Sequence, residues 1–167
     1  MRSIILMSVF ALGAAIYVPG MLNPSDGSSS SPQNTATLKA DRKGPKIAKA
    51  YKDERGHFYF NAKLNGNHDR VLVDTGATIV AINWTTARRL GIELSQKDFT
   101  GKVNTANGQV NVAAAIIDEI KIDRIVVRNV RAAVLPDSAL DNTLLGMSFL
   151  NKLKRFEIEG STLKLTR

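Results

Sequence analysis

Three rhythms of hydrophobic and polar residues follow one another along this chain. The first is continuous: from Ile4 to Val18 the residues are apolar except Ser8, with Arg2 just ahead. A buried amphipathic helix is excluded, because the run has no polar face. A basic residue followed by such a run is a membrane-targeting segment. A helix over Ile4–Leu22 would be about 28 Å long, close to the hydrocarbon thickness of about 30 Å. Residues 1–22 are therefore expected to be a retained anchor in preference to a cleaved signal. Gly13-Ala14-Ala15 keeps cleavage open. Either way the N-terminus stays inside and the rest of the chain crosses the membrane.

The second rhythm is polar without period. Asn23 to Ala40 contains Asn-Pro, Asp-Gly, four consecutive Ser and Ser-Pro, the composition of a flexible tether. A Lys-rich stretch follows to Arg55, so residues 23–55 are expected to be spacer, plainly solvated or lying on anionic headgroups.

From about His57 the rhythm turns to short alternating runs between turn signals. Phe58, Phe60, Ala62 and Leu64 share one face of a strand, Asn65-Gly66 supplies a two-residue hairpin turn, and Arg70-Val71-Leu72-Val73 returns. Ile79–Ile82 is a buried run. Thr85–Leu90, with Gly91 behind it, predicts a short helix with a glycine C-cap. Lys102–Thr105 and Gln109–Val112 flank Asn107-Gly108 as a second hairpin. Ile116–Val134 holds two or three β-rich runs around Asp123 and Asn129. Met147–Leu153 predicts a second helix, and Phe156–Ile158 with Leu163–Leu165 a closing hairpin about Gly160. This amounts to roughly eight or nine strands and two helices in about 110 residues, a mostly-β single domain over residues 56–167.

Composition then removes chemistry. The 167 residues include no Cys and only two His, His57 and His68. Disulfides, a Cys nucleophile and Cys-ligated metals are excluded, and no zinc-ligand spacing exists. No metal or cofactor is expected. The net charge of +8 raises the question of nucleic acid. Half of that excess falls in residues 39–55, without interleaved aromatics or a groove-reading motif, so no nucleic-acid partner is expected.

One motif carries positive information. In Val71-Leu72-Val73-Asp74-Thr75-Gly76-Ala77-Thr78 an apolar strand delivers one carboxylate into a tight turn, where Gly76 leaves room for close approach. Alone, Asp-Thr-Gly is a weak signal and fits an ordinary turn. It gains weight from the exposed Asn-Gly hairpin about thirty residues on and from Leu144-Leu145-Gly146, which opens a helix. Other candidates are weaker. Asp118-Glu119 fits a solvated turn, Trp84 a packing anchor, and the two His surface positions. Ser148 lies in Gly-Met-Ser-Phe-Leu, which is not a nucleophile elbow.

With these three motifs in this order, residues 55–167 resemble the retropepsin-like aspartic proteases, in particular their bacterial membrane-anchored branch. The matching segments are Val73–Thr78, Thr105-Ala106-Asn107-Gly108 and Leu144–Leu150. Thr78 stands where retroviral members often carry an acidic residue. The resemblance implies Asp74 as the catalytic carboxylate, Thr75, Gly76 and Ala77 as its support, and Thr105, Ala106, Asn107 and Gly108 as a flap over an extended polypeptide substrate. Aspartic proteolysis needs two close carboxylates sharing a proton. This chain has one Asp-Thr-Gly and one domain, which implies a symmetric homodimer with one Asp74 per subunit. The expected protein is a periplasm-facing aspartic endopeptidase held at the inner membrane by its N-terminus. The alternative is a catalytically weak dimerisation or peptide-binding module of the same fold.

Overall fold

A computed structural model describes residues 44–105 and 108–167. The anchor expected at 1–22 and the tether at 23–43 lie outside the described residues. Among those described, no helix is long and apolar enough to cross a membrane.

The fold is mostly β. Strand β1 (Ile47–Tyr51) precedes β2 (Tyr59–Leu64) and β3 (Asn67–Val73). Then come β4 (Val80–Asn83), helix α1 (Trp84–Arg89), β5 (Gly101–Thr105), β6 (Gly108–Ile122) and β7 (Ile125–Leu135). Strand β8 (Thr143–Leu145), helix α2 (Met147–Leu150), β9 (Arg155–Glu159) and β10 (Thr162–Thr166) complete the chain. Six strands run in the order β2-β3-β8-β4-β7-β6, and β6 returns to β2 through Leu64 and Ile120, closing a barrel-like sheet. Closure removes the exposed edges that an open sheet would carry.

Local chemistry explains most of these elements. In β2, Phe60, Ala62 and Leu64 are buried while Asn61 and Lys63 are exposed, the period of a half-buried strand. Asn65 (φ 44°) and Gly66 (φ 83°) both take the left-handed conformation that a two-residue hairpin with primed geometry requires. Asn65 also pins the turn to the barrel. Its N–H donates to the Glu119 carbonyl at 2.9 Å, its Oδ1 accepts from the Glu119 N–H at 3.1 Å, and its Nδ2 donates to the Leu90 carbonyl at 3.3 Å. Asn83 caps α1 by accepting from the Thr86 N–H at 2.8 Å, and Gly91 (φ 73°) ends it.

Several expectations change in detail. The Lys-rich stretch is not all spacer: Ile47–Tyr51 pairs with β10, burying Ala48 and Ala50 and turning Lys49 outward. The folded unit therefore starts ahead of residue 56. Alanine alternating with lysine buries too little apolar surface to reveal a strand on its own; Leu163 and Leu165 of β10 supply the missing core. Strands β6 and β7 form one long hairpin joined at Asp123-Arg124, the lower of the two or three runs expected, and both extend past the expected Ile116–Val134. Asn129 (φ 53°) interrupts the ladder opposite Asp118 without adding a residue. Strands β5 and β6 pair as the expected second hairpin, with Gly108 opposite Thr105 as the first residue of β6. Ala106 and Asn107 lie outside the described residues. Helix α2 stops at Leu150, after which Lys152 and Leu153 bond back three residues to Phe149 and Leu150 and tighten the last turn.

The core lies inside the barrel, with Val71, Ile82, Ile117, Leu145 and Phe149 fully buried. Each such side chain contributes about 1.5–3 kcal/mol of burial. That packing makes β3, β4 and β8 a rigid platform.

Candidate active site

Strand β3 runs parallel to β8, with Val73 opposite Leu145, and leaves the sheet at Asp74. The Asp74 N–H donates to the Leu145 carbonyl at 3.3 Å, so this residue is held by the last rung of the parallel ladder. The chain then folds sharply. The Ala77 N–H donates to the Asp74 carbonyl at 3.3 Å, and the Gly76 N–H donates to Asp74 Oδ1 at 2.8 Å. Among the described residues no donor reaches Oδ2. The carboxylate is thus oriented through one oxygen and presents the other. A Cβ on Gly76 would stand 3.2 Å from Asp74 Oδ1 and crowd it.

Gly146, immediately after β8, packs against the same turn. A Cβ there would lie 2.4 Å from the Ile79 carbonyl oxygen and 2.6 Å from that of Ala77, distances that real side chains do not tolerate. With only hydrogen at this position, α2 can begin against the loop. The Met147 N–H donates to the Ala77 carbonyl at 2.8 Å and the Ser148 N–H to the Thr78 carbonyl at 3.1 Å. The Ser148 hydroxyl accepts from the Val80 N–H at 2.9 Å and donates to the Arg131 carbonyl at 2.7 Å. In the sequence Ser148 stands out only as a rejected nucleophile. In the fold it ties the loop after Asp74 to β7, a role with no local signature.

Strand β8 is anchored at its other end as well. Thr143, buried at 4 % exposure, donates to Asp69 Oδ2 at 2.6 Å, and Asp69 Oδ1 lies 3.3 Å from the Arg89 guanidinium. A buried hydroxyl with a charged acceptor is well satisfied.

Above the turn lies a cleft of about 640 Å³ lined by Asp74, Gly76, Ala77, Thr78, Ile79 and Ala81 from the loop and β4. Leu135, Leu140 and Leu144 line it from the neighbouring elements, and Val103 and Asn104 of β5 reach it from the hairpin. Asp74 is half-buried, while Thr75 and Gly76 are exposed. The β5–β6 hairpin that carries Thr105 and Gly108 thus borders the cleft.

The weaker candidates lie elsewhere. His57 stands 3.9 Å from Asp53, and the His68 carbonyl accepts from Arg89. Glu119 sits within β6 and not in a turn, and pairs with Arg128 at 2.7 Å. Trp84 stacks on Phe99 with ring centres 4.8 Å apart, away from the cleft lining. No group of three or more metal-capable side chains occurs among the described residues.

Residues 60–152 match the family described as "gag-polyprotein putative aspartyl protease". The chain belongs to the retropepsin-like aspartic protease family. The fold of this retropepsin-like chain matches the crystal structure of a retropepsin-like aspartic protease from Rickettsia conorii. The TM-score is 0.63 at 32% identity, over 74% of this chain and 93% of that one. An uncharacterized protein of a Sinorhizobium species, encoded in a cobV 5′ region, is 35% identical over 130 residues, covering 78% of this chain and 56% of its own length. An uncharacterized Rickettsia prowazekii (strain Madrid E) protein is 36% identical over 110 residues, covering 66% and 47%. The chain therefore spans about half the length of these curated relatives.

Proposed function

We propose that this retropepsin-like chain is an aspartic endopeptidase that works as a symmetric homodimer. The supporting observation is the half-exposed Asp74 carboxylate at the floor of the cleft, oriented by the Gly76 N–H at 2.8 Å and presenting its second oxygen. The chain supplies one such carboxylate, and the chemistry needs two. A second copy across a two-fold axis provides the other Asp74, with Thr75 of each subunit at the junction.

Two close carboxylates cannot both ionise cheaply, so the pair shares one proton. The ionised member takes a proton from a water, which attacks the scissile carbonyl. The protonated member gives its proton to the carbonyl oxygen. The roles exchange as the tetrahedral intermediate collapses and the amine leaves. Ala77 supports this turn through its N–H bond to the Asp74 carbonyl. The β5–β6 hairpin, including Thr105, Ala106, Asn107 and Gly108, closes over an extended polypeptide that pairs its main chain with the enzyme.

The full-length chain should cleave an unstructured polypeptide, and Asp74→Asn should abolish that cleavage. Cleavage that survives the substitution sinks the assignment. A dimer that binds such a polypeptide without cutting it favours the catalytically weak peptide-binding module instead.

We also propose that residues 1–22 hold the protein in the inner membrane with the folded domain in the periplasm. The apolar run Ile4–Val18 behind Arg2 supports this. In bacterial cells, protease added to spheroplasts should digest the domain while a cytoplasmic marker survives. Protection of the domain would reverse the orientation.

A further inference from the structure

A second concavity, about 450 Å³, adjoins the Asp74 cleft, and Thr78 lines both. Met147 and Ser148 lie along it, and its remaining lining is Asn129, Arg131, Asn151 and Lys152. Among the described residues no acidic side chain lines it. Two cations and two side-chain amides therefore converge on one recess at the edge of the proposed substrate path.

Each cation is placed by a specific feature. Beside the ladder break at Asn129 (φ 53°), Lys152 Nζ donates to the carbonyls of Arg128 and Asn129, at 3.0 Å each. An ammonium has three donors, so one remains for a ligand. The Arg131 carbonyl accepts the Ser148 hydroxyl, which fixes the backbone beside the loop after Asp74. The neighbouring Arg128 and the more distant Arg89 are each neutralised by a carboxylate, Glu119 and Asp69. Among the described residues neither Arg131 nor Lys152 has an acidic partner.

We propose that this recess is an acid-selecting subsite, in which Arg131 and Lys152 take the carboxylate of an Asp or Glu side chain in the polypeptide occupying the Asp74 cleft. The inference rests on the endopeptidase reading. An extended chain advances about 3.3 Å per residue with alternating side chains. Thr78 is displaced along the loop from Asp74, so the selected residue stands about two to four positions from the scissile bond and not beside it. A guanidinium meets a carboxylate through two parallel N–H bonds, which separates Glu from its neutral isostere Gln.

The test uses the full-length chain and a peptide that it cleaves, with Glu or Gln placed in turn at the second to fourth positions on each side of the bond. At one position Glu should exceed Gln roughly fivefold or more in kcat/KM, and added salt should shrink that preference. Arg131→Gln should remove the preference, read as the ratio of Glu-peptide to Gln-peptide kcat/KM within that one variant. Equal turnover of Glu and Gln peptides at every position, with cleavage intact, overturns the subsite alone. So does a preference that persists undiminished in Arg131→Gln. Absence of any cleavage by the wild-type chain overturns the endopeptidase reading and the subsite with it. The Glu/Gln comparison needs no variant, and thermal melting of Arg131→Gln checks that the variant is folded.

Discussion

Gly146 meets Ile79 so closely that a Cβ added to the glycine would lie 2.4 Å from the Ile79 carbonyl oxygen. Backbone faces backbone at this point, so no side-chain rotation can relieve the clash. The loop that follows Asp74 and the start of α2 are therefore a single unit.

Gly146→Ala should push these two segments apart. Overpacking of this kind costs about 1–3 kcal/mol and sometimes more. Denaturant unfolding should show that loss, and cleavage should fall further than the folded fraction does, because the Asp74 turn is displaced. A variant with native stability and full activity would show that the two segments are not coupled.

Ser148→Ala removes the acceptor of the Val80 N–H and the donor to the Arg131 carbonyl. Val80 is fully buried, so its orphaned N–H costs about 1–3 kcal/mol. Ser148→Thr keeps the hydroxyl and should recover part of the loss. If alanine and threonine variants unfold at the same denaturant concentration as the wild type, the hydroxyl does not bridge the loop to β7.

Mixing separates a two-chain site from a one-chain site. At equal parts wild type and Asp74→Asn, random pairing leaves about a quarter of the dimers with two Asp74 carboxylates. Activity per total protein should then fall to about a quarter of the wild-type value after subunit exchange. A fall only to one half would mean that each chain acts alone.

Glu157 gives a pH test of the terminal sheet. The Lys164 ammonium, hydrogen-bonded to it and 3.0 Å away, holds its carboxyl below the ordinary glutamate range, with Arg155 assisting. A depressed native pKa means that the unfolded chain takes up the proton first as pH falls. The stabilisation is complete above the ordinary glutamate value and is lost as pH drops through the lower native one. Glu157→Gln should flatten this part of the acid limb in a stability–pH series. An unchanged acid limb would show that the Lys164 contact contributes nothing.

Much of the fold was legible because it is written locally. Phe60, Ala62 and Leu64 alternate into the core, Asn65-Gly66 makes its turn by backbone preference, and Gly91 marks the end of the first helix. The Asp74 turn was visible for the same reason, as an apolar strand running into Asp-Thr-Gly. Strand β1 carries no such local signal, because Ala48 and Ala50 are too small to advertise burial and their partners in β10 lie at the far end of the chain. The apolar pattern continues to Leu153 and predicts a longer α2, while the bonds that tighten the turn after Leu150 depend on how the chain meets β7 and β10. The Ser148 bridge from Val80 to Arg131 has no sequence signal, because it joins residues far apart in the chain.

The sequence by itself determined the period of the strands, the turn chemistry, the single Asp-Thr-Gly and the absence of Cys. Each of these depends on a residue and its near neighbours. Only the tertiary structure decided that β8 runs parallel to β3, that Gly146 faces Ile79 and Ala77, and that Lys152 and Arg131 gather beside Thr78. Those contacts join residues tens of positions apart. They are selected by closure of the barrel and by the burial of its core, which no short window of sequence contains.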